Sequence, residues 1–279
     1  IKENGISFQR EYDKDKIKVP YELDFLFSDY LELLAKIEKH ANTTHDFKLN
    51  CENACATSDA YKLAPLLRNL SSEDITSNKY LKIINTGTIG RYNSKWGKRE
   101  MVYLGNRYLS PGVLKQQFIE EFGNSYSKKS IEPKIIIKGL NLLDACLAEL
   151  GEFIPGKSTL MIPDKNPEKL KLLLALINSS LYIFYLKEKH PGASYNQGTS
   201  FTKDMINKLP LPNLSEAEKH TFIEIVDKIL VITKSDDYLE NPAKKEEVKE
   251  YEKQIDQLVY KLYDLGDDEI KIIEDSSKK

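Results

Sequence analysis

Planar, basic and amide side chains gather on one glycine-rich stretch between Tyr80 and Glu100, called the ribbon below. Arginine can donate two parallel hydrogen bonds to guanine, asparagine can pair with adenine in the same way, and lysine suits phosphate oxygens. We therefore predict that the ribbon lies against duplex DNA. The predicted contacts are base readout by Arg91, Asn93 and Arg99, and phosphate contacts by Lys95 and Lys98. Trp96, the only Trp in the chain, is expected either to anchor the base of the ribbon, which is favoured, or to pack against a sugar.

A second polar loop, HPGASYNQGTSF at residues 190–201, contains no acidic residue. Glycines in this loop and in the ribbon allow the backbone to approach a phosphate chain closely. The loop adds Tyr195, Asn196, Gln197 and Thr199 to the predicted DNA contacts, followed by Lys203. The alternative interpretation of the two segments is a solvent-exposed hairpin and an ordinary surface loop.

The charge of the chain is unevenly distributed. The net charge of the 279 residues is −2, yet the segment 79–138 holds 12 Lys and Arg against 4 Asp and Glu. A basic segment inside an acidic chain is typical of a protein that binds a polyanion. A solvated lysine-rich surface is the alternative, and the aromatic and amide residues among the charges favour nucleic acid.

Motifs for catalysis are missing or out of context, so we expect no active site in this chain. There are no adjacent prolines, which excludes the Asn-Pro-Pro-aromatic motif of amino-methyltransferases, and there is no Gly-x-Gly cofactor loop. GEFIPGKS at Gly151–Ser158 matches the P-loop pattern letter for letter. A working P-loop must open a helix, however, and the residues that follow Ser158 are predicted to form a strand. We predict no cofactor bound by this chain.

Two histidines and two cysteines, His40, His45, Cys51 and Cys55, are close enough in sequence to suggest zinc, but their spacing fits no standard finger. Half-buried thiols and a histidine pair near a helix end are the favoured interpretation. Three cysteines in all form no disulfide framework, which suits a reducing cytoplasm. No apolar run is long enough to cross a bilayer, so no membrane is expected as a partner. The chain begins with Ile1, which suggests a piece of a longer polypeptide.

Periodicity predicts an α+β fold: a small twisted mixed sheet with irregular loops, then a helical part ending in an antiparallel two-helix hairpin. In Lys134–Leu140, burial of Ile135 and Ile137 on one face would direct Lys138 to the other, towards DNA. Ser215 and Glu218 form a capping-box pattern. The predicted helices are 21–40, 111–122, a long one after Pro167, 216–233 and 246–265. The predicted strands begin at 47, 80, 99, 134 and 159, with an extended piece at 60–70.

Six sequence segments, taken in their order along the chain, carry a resemblance to a known protein family: DAYKLAPLLRN, PKIIIKGL, GKSTLMI, LLLALINSSLYIFYLK, FTKDMINKLPLP and QLVYKLYDLGDDEI. Together, over about residues 59–273, they resemble the carboxy-terminal target-recognition domain, of the TaqI-like type, of adenine-specific DNA methyltransferases. Such domains occur in single-chain (type IIG) restriction-modification enzymes and in phage-defence methyltransferases. The paired terminal helices also resemble those of type I specificity subunits.

The resemblance implies a function for this chain and for a part that precedes it. The chain would recognise a specific duplex DNA sequence, while a preceding methyltransferase part would bind S-adenosylmethionine and methylate adenine. The resemblance implies a parent protein either with or without a nuclease. Reading side chains vary with the target in this family, so no base contact is transferred. The expected division is a connecting segment at 1–58, a recognition domain at 59–212 and a helical hairpin at 213–279. The alternative is a protein-interaction module that pairs through its terminal helices with another subunit.

Overall fold

A computed structural model describes residues 28–40, 49–123, 126–140, 143–190 and 200–277. The strands are β1 Glu52–Asn53, β2 Arg68–Asn69, β3 Tyr80–Ile84, β4 Ile89–Gly90, β5 Asn93–Ser94, β6 Met101–Tyr103, β7 Asn106–Tyr108, β8 Pro111–Leu114, β9 Lys134–Lys138, β10 Ala145–Ala148, β11 Phe153–Pro155 and β12 Thr159–Pro163. The helices are α1 Leu31–Lys39, α2 Thr57–Leu63, α3 Ser72–Thr76, α4 Lys115–Phe122, α5 Tyr126–Ile131, α6 Pro167–Asn178, α7 Ser180–Lys189, α8 Lys203–Asn207, α9 Glu216–Thr233, α10 Pro242–Leu262 and α11 Asp267–Ser277. This mixture of helices, small sheets and irregular connections confirms the predicted α+β class.

The first sheet is antiparallel, in the order β1-β12-β9-β10, and is covered on both faces. Ile135 and Ile137 of β9 lie in the main hydrophobic core, as predicted, but Ile136 lies in a second, smaller core with Ile84 and Phe153. Alternation therefore does not separate a buried face from a solvent face. Lys138 is half-buried instead of fully buried, since it is the last residue of the strand.

Asparagine side chains cover the two edges of this sheet. Asn178, at the end of α6, accepts a hydrogen bond from the Ala145 N–H (2.9 Å) and donates one to the Ala145 carbonyl (3.0 Å). Asn207, at the end of α8, makes the same pair of bonds with the backbone of Cys51, at 2.7 and 3.0 Å. Each amide replaces a missing neighbouring strand, which satisfies backbone groups that an open edge would leave unpaired.

The second sheet has the order β11-β3-β8-β2, with β11 parallel to β3 and the other pairs antiparallel. Its core is separate and contains Phe118 and Phe122 of α4 packed edge-on against Tyr126 of α5. Two hairpins, β4-β5 and β6-β7, follow β3 in the chain. The chain thus leaves the second sheet after β3, passes through the two hairpins and returns to the sheet at β8.

The main core is built by the first sheet and the helices α6, α7, α9 and α10. The chain bends by 61° between α6 and α7, around Ser179, where a single long helix was expected. Among the described helices, none is both long and apolar enough to cross a membrane by itself, and α6 and α7 reach that length and apolarity only as a bent pair.

The terminal helices pack into the same core. The capping box of Ser215 and Glu218 begins α9, as predicted from the sequence. The apolar residues expected between the last helices all lie in or against the main core: Phe222, Ile225, Ile229, Ile255, Leu258, Val259 and Leu262. The predicted hairpin corresponds to α9 and α10, which contact each other, and α11 follows and packs on α7. The domain division expected at 58/59 and 212/213 stays a prediction, although the main core includes residues on both sides of each boundary.

Three local predictions are wrong. Residues 57–66 form α2 and a 3₁₀ turn where an extended piece was expected. Pro65 is compatible with this turn because it lies at its start, where a backbone N–H would have no partner within the helix. Pro111 begins strand β8, so the helix there starts only at Lys115. Residues 126–131 form α5 where a loop was expected. The predicted beginning of the first helix and most of the strand at 47–49 lie outside the described residues.

Candidate nucleic-acid interface

The tip of the ribbon is buried in the main core. Tyr92, with a left-handed φ of 60°, forms the turn between β4 and β5. Its N–H donates to the Ala145 carbonyl at 2.9 Å, and its own carbonyl accepts a hydrogen bond from the Thr233 hydroxyl at 3.2 Å. Burial raises the pKa of the Tyr92 phenol, which stays neutral. The first half of the ribbon is therefore fixed between the first sheet and α9.

In the glycine-rich turn before this hairpin, the N–H groups of Gly87 and Thr88 already have acceptors within the turn. The Gly87 N–H donates to the Asn85 side-chain oxygen at 3.0 Å, and the Thr88 N–H donates to the Asn85 carbonyl at 2.9 Å. The Asn85 amide in turn donates to the Val102 carbonyl at 2.9 Å. This network fixes the path of the ribbon and leaves these two N–H groups unavailable to a phosphate.

Arg91 points from the hairpin towards α10. Its Nε atom is 3.7 Å from Glu252 of α10 and 3.8 Å from Asp144, which precedes β10. Burial opposes the charged form, but nearby carboxylates, Glu252 first, outweigh it and raise the pKa of Arg91. Burial raises the pKa of Glu252, and Arg91 opposes that increase. Arg91 thus connects the ribbon to the terminal helices.

Replacing Arg91 with Ala should lower the free energy of unfolding by about 1–2 kcal/mol, because two partly buried carboxylates would lose their cation. The variant that combines Arg91→Ala with Glu252→Gln should recover part of this loss, since the uncompensated charge on α10 is also removed. Urea unfolding of the three proteins measures both effects. Unchanged stability together with lost DNA binding would instead identify Arg91 as a direct DNA contact.

Asn93 is buried beside the same hairpin. A Cβ atom at Gly90 would lie 2.2 Å from Asn93 Oδ1 and 3.1 Å from Lys95 Cε, so a larger residue at position 90 would displace these two side chains. Within the described part of the chain, Asn93 Oδ1 has no hydrogen-bond partner. Because this oxygen is buried, a contact between Asn93 and a base would require its side chain or the hairpin to move.

Trp96 lies where the ribbon returns to the second sheet. Its indole N–H donates to the Pro111 carbonyl at 2.8 Å, and Lys82 Nζ is 4.9 Å above its ring centre. These contacts fix the base of the ribbon to β8 and β3. They agree with the anchoring interpretation of Trp96 that the sequence favoured.

Residues 95–99 form the exposed half of the ribbon. The N–H groups of Lys98 and Arg99 both donate to the Lys95 carbonyl, at 3.1 and 2.9 Å, which closes a tight turn. Gly97 supplies the left-handed φ of 74° that this turn needs. Lys98 and Arg99 are exposed, and no described carboxylate lies within ion-pair distance of Lys95, Lys98 or Arg99. A rigid turn that projects long, unpaired cations is suited to hold a polyanion.

The other predicted contacts are dispersed. Lys138 lies near the ribbon, because Asp144 pairs with it at 3.9 Å and with Arg91 at 3.8 Å. Lys203 lies on α8, exposed, near Cys51 and the opposite edge of the first sheet. The loop residues Tyr195, Asn196, Gln197 and Thr199 lie outside the described residues. The contacts expected on the loop therefore remain predictions.

The remaining motifs do not form phosphate or metal sites among the described residues. Gly151–Ser158 includes β11 and continues into β12, so the P-loop pattern opens no helix, as expected. Burial raises the pKa of Cys51 to about 12 and that of Cys55 to about 11, so both thiols are protonated at neutral pH. No described group of three or more His, Cys, Asp or Glu could hold a metal ion, and His45 lies outside the described residues.

Two residues important to this surface were missed by sequence reasoning: Asp144 and Glu252, which both lie within 4 Å of Arg91. Glu252 and Asp256 are four residues apart on α10, a spacing that places both on one helix face. That spacing was visible in the sequence. Its connection to the ribbon, more than 100 residues earlier, was not.

Similarity of this chain to known proteins is found among solved structures. No family model matches the chain, and no curated protein matches it. Among solved structures, the type IIG restriction endonuclease BpuSI is similar with a TM-score of 0.49 and 12% identity, covering 86% of this chain and 34% of that one. The type IIL restriction-modification enzyme MmeI, solved in complex with DNA, is similar with a TM-score of 0.50 and 10% identity, covering 80% and 34%. This chain thus spans about a third of either enzyme, and at 10% identity the likeness to MmeI shows the fold alone.

Proposed function

We propose that this chain recognises a specific sequence in duplex DNA on behalf of an adenine-specific DNA methyltransferase of a restriction-modification or phage-defence system, whose carboxy-terminal part it forms. The exposed turn at residues 95–99 carries the proposal, because its cations have no acidic partner among the described residues and its backbone is fixed at both ends. The methyltransferase part of the same protein would bind S-adenosylmethionine and act on an adenine extracted from the held duplex.

Rigid attachment supports a role in recognition. Binding through long cationic side chains costs less ordering when the backbone that carries them is already fixed. Lys95 and Lys98 would contact phosphates, and Arg99 would donate two hydrogen bonds to guanine. Because Arg91 is paired with Asp144 and Glu252 and Asn93 is buried, base readout is assigned first to Arg99 and to the loop that contains Asn196 and Gln197. The similarity to MmeI adds support, since that enzyme was solved with DNA.

The direct test is binding of the whole protein to duplex DNA over a series of salt concentrations. We expect the logarithm of the binding constant to fall linearly with the logarithm of the salt concentration. Sequencing of DNA methylated by the protein in cells would identify its target, and that target should bind more tightly than a shuffled duplex. Binding that does not depend on salt, or no preference for the methylated site, would contradict the proposal.

The alternative function, pairing of the terminal helices with another subunit, has less support. The apolar residues of α9 and α10 pack into the chain's own core, which leaves less apolar surface for another subunit. Sedimentation of the whole protein with and without DNA distinguishes the two functions. A stable complex with another subunit that forms without DNA, from a protein that does not bind duplexes, would favour the alternative.

The chain by itself should neither bind S-adenosylmethionine nor methylate DNA. Its sequence contains no Gly-x-Gly loop and no Asn-Pro-Pro tetrapeptide. Isothermal titration with the cofactor should give no binding heat, and a methylation assay on duplex DNA should give no product. Measurable cofactor affinity of this chain would show that the division between recognition and catalysis is wrong.

A further inference from the structure

The hairpin of β6 and β7 lies directly beside the exposed turn at residues 95–99. The Gly97 N–H of that turn donates to the carbonyl of Leu109, which follows β7, at 3.0 Å. Met101 and Tyr103 of β6 are buried in the core of the second sheet, whereas residues 104–107 are all exposed. The base of the hairpin is therefore fixed next to the cationic turn, and its tip extends into solvent.

The tip of this hairpin carries an unusual residue for its turn. Leu104 and Gly105 connect the two strands, and both have a left-handed φ, of 46° and 89°, as in a type I′ turn. Asn or Gly normally occupies the first of these positions, because a bulky side chain is strained there. Leu104 is also 37% exposed, so core packing does not account for it. Backbone strain of this kind is concentrated at binding sites.

The charge around the tip suits a polyanion. Glu100 is the only acidic residue in the sequence from 75 to 119, and it pairs with Arg107 of β7 at 3.1 Å. The hairpin therefore carries no unbalanced negative charge that would repel a phosphate chain. Val102, which lies opposite Arg107 in the hairpin, is 53% exposed and adds apolar surface near the tip.

The dimensions of the hairpin match those of a DNA groove. The major groove of B-DNA is about 12 Å wide and about 8.5 Å deep, and it admits a two-stranded β-ribbon. Strands of three residues extend about 10 Å, which is enough for the tip to reach the groove floor. Leu104 follows Arg99 by five residues, so their Cα atoms are at most about 17 Å apart. That distance corresponds to about five base pairs, so one duplex site can contact both residues.

We propose that the hairpin of β6 and β7 enters the major groove of the duplex and that Leu104 packs against a thymine methyl group. The inference rests on the proposed function and extends it, because it adds a base-reading element to Arg99. The thymine methyl is the apolar group that the major groove displays, and contact with it removes apolar surface of Leu104 from water. The turn at residues 95–99 would hold the phosphates at the edge of the same groove.

The first test is Leu104→Asn in the whole protein, which introduces the Asn-Gly pair that type I′ turns prefer. The variant should therefore unfold at a higher urea concentration than the wild type. We expect its binding to the target duplex to weaken about 10-fold, because the apolar contact is lost, while binding to shuffled DNA stays the same. The salt slope should not change, since no charge is removed.

Leu150→Asn is the matched control. Leu150 is 68% exposed and also precedes a glycine with a left-handed φ, but it lies between Glu149 and Glu152, which do not favour DNA. This substitution should leave binding to the target and to shuffled DNA unchanged. Fluorescence anisotropy with both duplexes measures the two variants side by side.

The second test replaces the thymines of the target one at a time with uracil, which lacks the methyl group. At least one replacement should weaken binding of the wild type about 4-fold and leave binding of Leu104→Asn unchanged. Uracil effects that are equal in the two proteins, or no uracil effect at all, would refute the groove contact. So would a loss in Leu104→Asn that is equal for target and shuffled DNA.

These outcomes also separate the inference from the proposed function. If the wild type prefers its target in a salt-dependent manner and Leu104→Asn binds equally well, the hairpin contact is wrong and the proposed function stands. If Leu104→Asn destabilises the whole protein without changing target preference, the hairpin packs on the methyltransferase part and the groove contact is again wrong. A wild type without any preference for its target would refute both.

Discussion

Replacing Lys95, Lys98 and Arg99 together with Ala should weaken binding of the whole protein to its target duplex by about 10²–10³-fold at 0.15 M salt. Each phosphate contact contributes about 5-fold at that salt through release of counterions, and a bidentate arginine contributes about 1–3 kcal/mol on the correct site. The slope of the binding constant with salt should decrease by about two. Fluorescence anisotropy with target and shuffled duplexes, over a salt series, measures both quantities.

Single variants separate the two kinds of contact. Lys98→Ala should weaken binding to all sequences alike and flatten the salt dependence. Arg99→Ala should affect mainly the target, so preference over shuffled DNA should fall. A control that removes three lysines already paired with acids, Lys219, Lys249 and Lys253, should leave binding unchanged. Unchanged affinity and unchanged site choice in the triple ribbon variant would mean that the ribbon is only a charged hairpin.

The exposed half of the ribbon could be anticipated from the sequence because it depends on local properties. Charge density, glycine spacing and the chemistry of Lys98 and Arg99 are all contained in a few neighbouring residues. The same holds for β9, where a β-branched run follows a proline, and for α9, where the cap and the apolar spacing are local signals.

The buried half of the ribbon could not be anticipated, because its surroundings come from distant parts of the chain. Arg91 and Asn93 have the chemistry of base-reading side chains. In the folded chain, Arg91 meets Glu252 of α10, 161 residues later, and Asn93 is enclosed in the interior. Residue type states what a side chain can bind, whereas long-range packing decides whether it is free to do so.

The two-sided burial of β9 shows the same limit. The sequence predicts that Ile135 and Ile137 face the core and that Ile136 lies on the opposite face with Lys138. A run of three isoleucines is, however, also compatible with a strand covered on both faces. The smaller core that buries Ile136 comes from β3 and β11, which belong to the other sheet. No local pattern around β9 predicts that neighbour.

Asn178→Ala should lower the free energy of unfolding by about 2–4 kcal/mol, which makes it the stability change of largest expected effect. The side chain is 2% exposed, and both ends of its amide bond the Ala145 backbone. Removing it leaves the Ala145 N–H buried without an acceptor and opens a cavity under β10. Urea unfolding followed by circular dichroism measures the loss.

Asn207→Ala is the matched control, because it removes the same pair of hydrogen bonds at the other edge of the sheet, where the side chain is exposed and water can replace it. Its expected cost is only about 0.5–1 kcal/mol. Asn178→Ala should also loosen the ribbon, since the Ala145 carbonyl that it fixes accepts the Tyr92 N–H. Hydrogen exchange at Tyr92 should therefore accelerate in Asn178→Ala and stay unchanged in Asn207→Ala. Equal, small effects of the two substitutions would show that Ala145 is held by the sheet alone and that the ribbon tip is anchored independently of α6.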